Sequence, residues 1–494
     1  MKKLLIILAL LPVLAGAQTL VQKRIGPMGN SSTLVQRQAG VSYGYYYGIV
    51  WDTTVSSSTL TRTGVTSLYA AGPTVPEGIL NVQNQMRRCL LKDDGTVNYY
   101  LSSTNSYNKS GVLPSVTGTA TSTYTDSTRL QCKGKFTGDT SLWVGHFVHN
   151  TTTGKTTRYA MILSVLNDST VTLNYPFFVK GDTWELMTAK LNGIDGQIMV
   201  EIPKFYYRQI ITGSKTELDI SSSPLAGFAV YPAFVENGVE KSVIYISALE
   251  AYVMPGSKLS SVAGYIPTCL LTRATFRTDA NNRGSAWSQY RFWYHSAVQI
   301  LYYTEYADFN SQNRIPGFTE RATWADAYRR KTGRSLYLGN ASGTVPYNTV
   351  YDLATLGAGS WNVGNSYRGI ENFYGHIYKW IDGINVLDGH PYISNNHATF
   401  ADDTQTNYTD PGYVMSLVGG YIKTVLPLGG TFLPKSIGGA SNTYVTDYFY
   451  YSPGWRVCCG GGFLSYGANA GVASLTTSFA ASAAYPAIGA RLCY

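Results

Sequence analysis

Histidine and cysteine are the side chains best equipped for chemistry in this 494-residue chain, and there are six of each. His146 and His149 stand three residues apart in a strand-like segment. That spacing points them to opposite faces, and no carboxylate or Cys is near them in sequence. His390, His397, Asp402, Asp403 and Asp410 share one polar loop. Loop carboxylates and carbonyls suit a hard cation such as Ca²⁺, but the spacing matches no known loop motif, so the loop reads as solvated. Cys89, Cys132, Cys269, Cys458, Cys459 and Cys493 form no C-x-x-C pair. Neighbouring Cys458 and Cys459 are poorly placed to bond each other, and at most one or two disulfides are expected. There is no G-x-S-x-G after a strand, no H-E-x-x-H and no G-x-x-x-x-G-K-[ST]. These residues predict no catalytic constellation, no metal site and no cofactor.

The frame that carries them is short of charge. Charged residues make up 14 % of the chain, against roughly 25 % in an ordinary soluble protein. Fifty glycines and forty tyrosines fill the gap. This suits turn-rich β structure with Tyr-rich surfaces, the chemistry of binding loops that gain rigid amphipathic area from Tyr. The net charge of +9 is spread thinly, with no run of five or six Lys/Arg, so nucleic-acid binding is not expected. Residues 1–17 read as a secretory signal peptide: Lys2 and Lys3, an apolar run from Leu4 to Leu14, then Ala15-Gly16-Ala17 before Gln18. No later segment is apolar enough to span a bilayer, so the chain is expected to be exported.

Four regions follow the signal peptide in outline. Residues 18–101 are β-rich, with a strand in Gly44–Val55 and a hairpin turn at Asp93-Asp94-Gly95. Residues 102–122 are rich in Ser, Thr and Gly and read as a linker. Short alternating segments from Tyr124 to Met187 predict an inserted five-stranded β barrel or sandwich, giving a linker-plus-module region of 102–190. Residues 191–494 mix short strands with a helix in Ser285–Gln312, where apolar positions recur every three and four residues, and a second helix at Trp324–Gly333. The fold class expected is β-rich α+β.

The last third holds the most specific signals. SYRGIENFYGHIYKWIDGI (Ser366–Ile384) sets aromatics between glycines. WRVCCGGGFLSYGANAG (Trp455–Gly471) leads to IGARLCY (Ile488–Tyr494). Tyr367 to Trp380, Arg456 to Gly461 and Gly489-Ala490-Arg491 together resemble the C-type-lectin-like fold. That fold is shared by formylglycine-generating-type domains and the variable proteins of diversity-generating retroelements. YRGIENFYG, EYADFNSQ, DGQIMVEIPKFYY and the GANAG block also resemble tail-fibre-like receptor-binding proteins of Bacteroides phages and prophages. The resemblance covers roughly residues 45–101 and 190–494 and leaves the Tyr124–Met187 module outside.

The family's GGSWNN is here Gly461-Gly462-Phe463-Leu464-Ser465-Tyr466, and its Asn-rich stretch is Val472–Ala487. In the family, adenines of template Asn codons are randomised, which yields Phe, Tyr, Ser, Thr, Ala, Leu, Cys or Pro but not readily Trp, Met, Lys, Gln or Glu. Cys458–Ala487 contains none of those five and no charge, where about four charges would be expected at this chain's frequency. A buried apolar strand pair would also lack charge, but the central Gly-Ala-Asn-Ala-Gly block reads as scaffold. The resemblance therefore implies a diversified surface. Its contacts would be Phe463, Leu464, Ser465, Tyr466, Ser474, Thr476, Ser478, Phe479, Ala483, Tyr485 and Ala487, with Tyr466, Phe479 and Tyr485 as hot spots. It implies a non-enzymatic tail protein that binds a host cell-surface protein or glycan, as a homotrimer. The signal peptide favours a secreted surface adhesin of the same fold. A formylglycine-generating-type enzyme would need cysteines that Val472–Ala487 lacks.

Overall fold

The computed structural model describes residues 44–123, 128–155, 158–176, 178–321, 329–346 and 363–494. The expected signal peptide and the first half of Trp324–Gly333 lie outside these residues. The described part of that segment, 329–333, is not helical. The chain is β-rich α+β, as its composition and alternation predict.

A six-stranded sheet joins strands from residues 87–100 to strands near the C-terminal end. Its order is Ser288–Gln289, Leu492–Cys493, Val243–Ser247, Gln197–Pro203, Arg87–Leu91, Val97–Tyr100. The hairpin turn at Asp93-Asp94-Gly95 forms, with Gly95 at φ +83° and Thr96 N–H donating to Asp94 Oδ1 at 2.9 Å. The central Gln197–Pro203 strand is covered on both faces. Alternation sends Ile198, Val200 and Ile202 into the main core, while Met199 joins Cys89 and Leu91 in a second core on the other side.

The Phe292–Tyr306 helix fills the main core, with every residue but Trp293 buried. It is shorter than Ser285–Gln312 because Ser288–Gln289 pairs with the C-terminal strand and Ala307 turns left-handed at φ 51°. A second helix, Arg273–Asn281, is absent from the sequence expectations, and its buried stripe mixes Phe276 and Ala280 with Arg273 and Asp279. Thr272 caps it by accepting from Thr275 N–H.

Residues 102–122 are ordered rather than a free linker. Tyr107 donates its hydroxyl proton to Gly333 O at 2.8 Å, and Thr117–Thr119 is a strand. This strand makes the inserted module six-stranded, not five, in the order Thr117–Thr119, Thr183–Lys190, His146–Asn150, Tyr159–Asn167, Thr170–Leu173, Arg129–Gln131. Thr121 N–H donates to Gln131 O at 2.8 Å, so the first and last strands meet and the sheet closes. Leu130, Val148, Ile162, Val171 and Trp184 fill its interior. Phe147, Tyr159, Met161 and Met187 on the outside of one wall join the main core, which anchors the module to the rest of the chain.

Candidate binding surface

The C-terminal sheet runs in the order His390–Ile393, Tyr378–Leu387, Trp455–Gly460, Leu475–Phe479, Tyr448–Tyr451, Gly420–Val425, Pro434–Ile437, with Ile488–Gly489 beside Tyr378–Lys379. Its register separates two faces. Lys379, Gly460, Leu475 and Phe449 share one row, and Trp380, Cys459, Thr476 and Tyr450 share the next. Phe449, Leu475, Cys458 and Ile381 belong to the main core with the Phe292–Tyr306 helix. Tyr378, Trp380, Val457 and Cys459 belong to the second core. Over that second face lie Phe463, Tyr466, Phe479, Ala481 and Ala483, all partly buried.

The cap has two aromatic halves. Phe463 and Tyr466 pack at 4.2 Å between centroids and both rest on Tyr378, at 5.5 and 5.2 Å. Phe479 stands edge-on to Trp380 at 5.7 Å and holds Tyr485 at 5.1 Å. Tyr485 is 50 % exposed. The first half extends through Tyr450, 5.2 Å from Tyr466, to Tyr448 and Tyr421. Those three tyrosines are absent from the sequence reading, although the run Tyr448-Phe449-Tyr450-Tyr451 alternates as a strand that shows one aromatic face should.

The structure brings most of the expected contact residues together. Phe463, Ser465, Tyr466, Ser478, Phe479, Ala483 and Ala487 are half-buried at this surface and Tyr485 is exposed. Leu464, Ser474 and Thr476 are buried and offer nothing to a ligand from outside. Leu464 is drawn in by backbone bonds to His376 O and from Arg321 N–H. Thr476 occupies the outer row but is closed over by the cap.

The middle of the segment, Gly467–Ser474, is held through its main chain by side chains from elsewhere. Gln312 Nε2 donates to Gly467 O and Ala470 O at 2.9 and 2.7 Å. Gln299 Nε2 donates to Val472 O at 2.8 Å, and Ser311 Oγ accepts from Val472 N–H at 3.2 Å. Ala473 N–H donates to Asp447 Oδ2 at 2.6 Å. A Cβ on Gly471 would lie 2.0 Å from Asp447 Oδ1, so only glycine lets the loop approach this carboxyl. Bonds to the main chain do not depend on which side chains the neighbouring positions carry.

Asp447 is wholly buried, with no basic partner among the described residues, and burial raises its pKa well above 3.8. The folded chain therefore keeps this proton to higher pH than the unfolded chain. The stability it contributes is full below 3.8 and is lost as pH climbs toward the raised value. Asp447→Asn, neutral throughout, is expected to flatten that fall when unfolding is measured by denaturant across the range. Equal slopes in both proteins would show that the carboxyl is not held protonated.

The expected metal candidates have structural partners. His149 Nδ1 lies 2.8 Å from Glu185 Oε1, a carboxylate the sequence does not place near it. The 390–410 loop is not simply solvated: Asp402 is bound by Arg273 and Arg277, and His397 pairs with Glu236. Among the described residues no group of three His, Cys, Asp or Glu side chains could hold a metal ion. All six cysteines are buried, and none forms a disulfide. Burial pushes the Cys458 thiol up to about 12 and raises the Cys459 thiol well above its usual value. Such thiols are poor nucleophiles and poor metal ligands near neutrality.

No family model matches the chain, and no curated protein matches it. Among solved structures it is similar to one described as Major Tropism Determinant M1 Variant, at 10 % identity and a TM-score of 0.24, over 72 % of this chain and 87 % of that one.

Proposed function

We propose that this is a non-enzymatic receptor-binding protein whose C-terminal, C-type-lectin-like framework displays a diversified surface. One observation carries the reading. An uncharged cap of Phe463, Tyr466, Phe479 and Tyr485 is mounted on a sheet, and the loop between its halves is held largely through its main chain, by Gln299, Gln312, Ser311 and Asp447. A rigid backbone with aromatic and small polar side chains binds at low entropic cost. The buried, protonated thiols of Cys458 and Cys459 speak against thiolate chemistry of the formylglycine-generating kind.

The setting is a phage or prophage tail, with recognition of a host cell surface. The second setting, a secreted adhesin, is favoured by the reading of residues 1–17. Sequencing the mature N-terminus separates the two, because a start at Gln18 means export.

The test is binding of the purified protein to a panel of intact gut-bacterial cells. Wild type is compared with a variant carrying Tyr466→Ala, Phe479→Ala and Tyr485→Ala, checked for folding by circular dichroism. Truncating aromatic hot spots costs about 2 kcal/mol or more each, so binding is expected to fall at least 30-fold. Equal binding by both proteins, or no binding by wild type to any cell, overturns the reading.

A further inference from the structure

Beside Tyr485 stands a residue from far upstream. Leu270 lies in the 265–272 loop, and its N–H donates to Tyr485 O at 3.1 Å. Its side chain is 52 % exposed, and nearby Ile266 is 42 % exposed. Its backbone is left-handed, at φ +64°. A γ-branched side chain at positive φ is strained, and Gly or Asn would be the easy choice there. Leu271 turns inward against the second core, and its carbonyl accepts from Trp380 Nε1 at 3.2 Å. The strained turn therefore sends one leucine inward and the next outward, beside the cap. Such strain persists only where the surrounding structure holds it in place.

The chemistry around Leu270 selects the partner. Residues 265–272, 463–466 and 478–487 contain no Asp, Glu, Lys, Arg, Asn or Gln. Arg329 reaches this loop, but its Nη1 donates to Pro267 O at 3.1 Å. A glycan pressed here would lose water from hydroxyls that find few planar donors or acceptors in return. The two cap pairs, Phe463 with Tyr466 and Phe479 with Tyr485, meet at 52° and 50°, so neither pair presents one flat face. Aliphatic Leu270 beside tilted aromatics suits an uncharged, apolar patch on a protein.

We propose that Leu270 is a fixed aliphatic anchor of the receptor surface, outside the diversified segment, and that the receptor is a protein. This rests on the reading of the cap as a binding surface. Leu270→Gly removes the side chain and relieves the backbone, so it separates binding from folding.

The same intact gut-bacterial cells serve as the probe. Leu270→Gly is expected to melt at or above the wild-type temperature and to bind at least 10-fold more weakly, while Leu270→Met, which keeps apolar bulk, binds within a few-fold of wild type. Protease treatment of the cells is expected to abolish binding, and periodate oxidation of their glycans to leave it. Wild-type binding by Leu270→Gly, or a binding loss matched by a fall in melting temperature, overturns the anchor. Loss on periodate but not on protease overturns the protein receptor. Tyr485→Ala separates the two levels. If it weakens binding while Leu270→Gly does not, only the anchor fails. If neither matters, the cap reading fails as well.

Discussion

Arg273→Met is expected to destabilise the folded chain by ~3–5 kcal/mol. The Arg273 guanidinium is completely buried at the start of the Arg273–Asn281 helix. Nε and Nη2 donate to Asp402 Oδ1 at 2.8 and 2.5 Å, Nη1 to Ile381 O and Ile384 O at 3.1 and 2.6 Å, and Nη2 to Asn385 Oδ1 at 2.5 Å. Asp382, also wholly buried, lies 3.8 Å away and is bonded by Arg277 at 2.6 and 3.0 Å. Methionine fills much of the space but leaves two carbonyls and an amide oxygen without donors, and it leaves two carboxylates sharing one cation. Removing one partner from a buried ionic network costs far more than the network adds. Arg273→Lys is expected to recover less than half of the loss, because one ammonium cannot reach acceptors spread around a planar fork. Denaturant unfolding checks both. A change under about 1 kcal/mol for Arg273→Met would show that water or relaxation satisfies these groups.

Trp380→Ala is expected to cost a similar ~3–5 kcal/mol, the range for a large aromatic removed from a packed core. It should also cost binding. Trp380 is fully buried in the row below the cap. It supports Phe479 edge-on at 5.7 Å and donates to Leu271 O at 3.2 Å. Both the Phe479–Tyr485 half of the cap and the Leu270 turn therefore lean on one indole. Denaturant unfolding reads the stability, and adhesion to intact gut-bacterial cells reads the function. Unchanged adhesion by a folded Trp380→Ala protein would show that the cap is positioned without it. Trp380→Phe keeps a ring beneath Phe479 but leaves Leu271 O without its donor, at about 1 kcal/mol.

Local patterns in the sequence determined the local elements. Alternation marked the strands, Asp93-Asp94-Gly95 the hairpin, and the three- and four-residue recurrence the Phe292–Tyr306 helix. The loss of all charge across Cys458–Ala487 marked a segment whose aromatics gather on one face. Tertiary structure alone decided which side chains that face exposes. Leu464, Ser474 and Thr476 have the same polarity and spacing as their half-buried neighbours, yet Leu464 is drawn inward by backbone bonds to His376 and Arg321, and Ser474 and Thr476 are buried within the sheet. It also decided that Tyr421, Tyr448 and Tyr450 extend the cap, that Leu270 stands beside Tyr485, and that residues 102–122 supply a strand to a closed barrel. Strand register across hundreds of residues depends on which faces find partners, and no local window contains both partners. The Arg273–Asn281 helix shows the same limit: Arg273 and Arg277, bonded to groups more than a hundred residues away, fix it beside the buried Phe276 and Ala280.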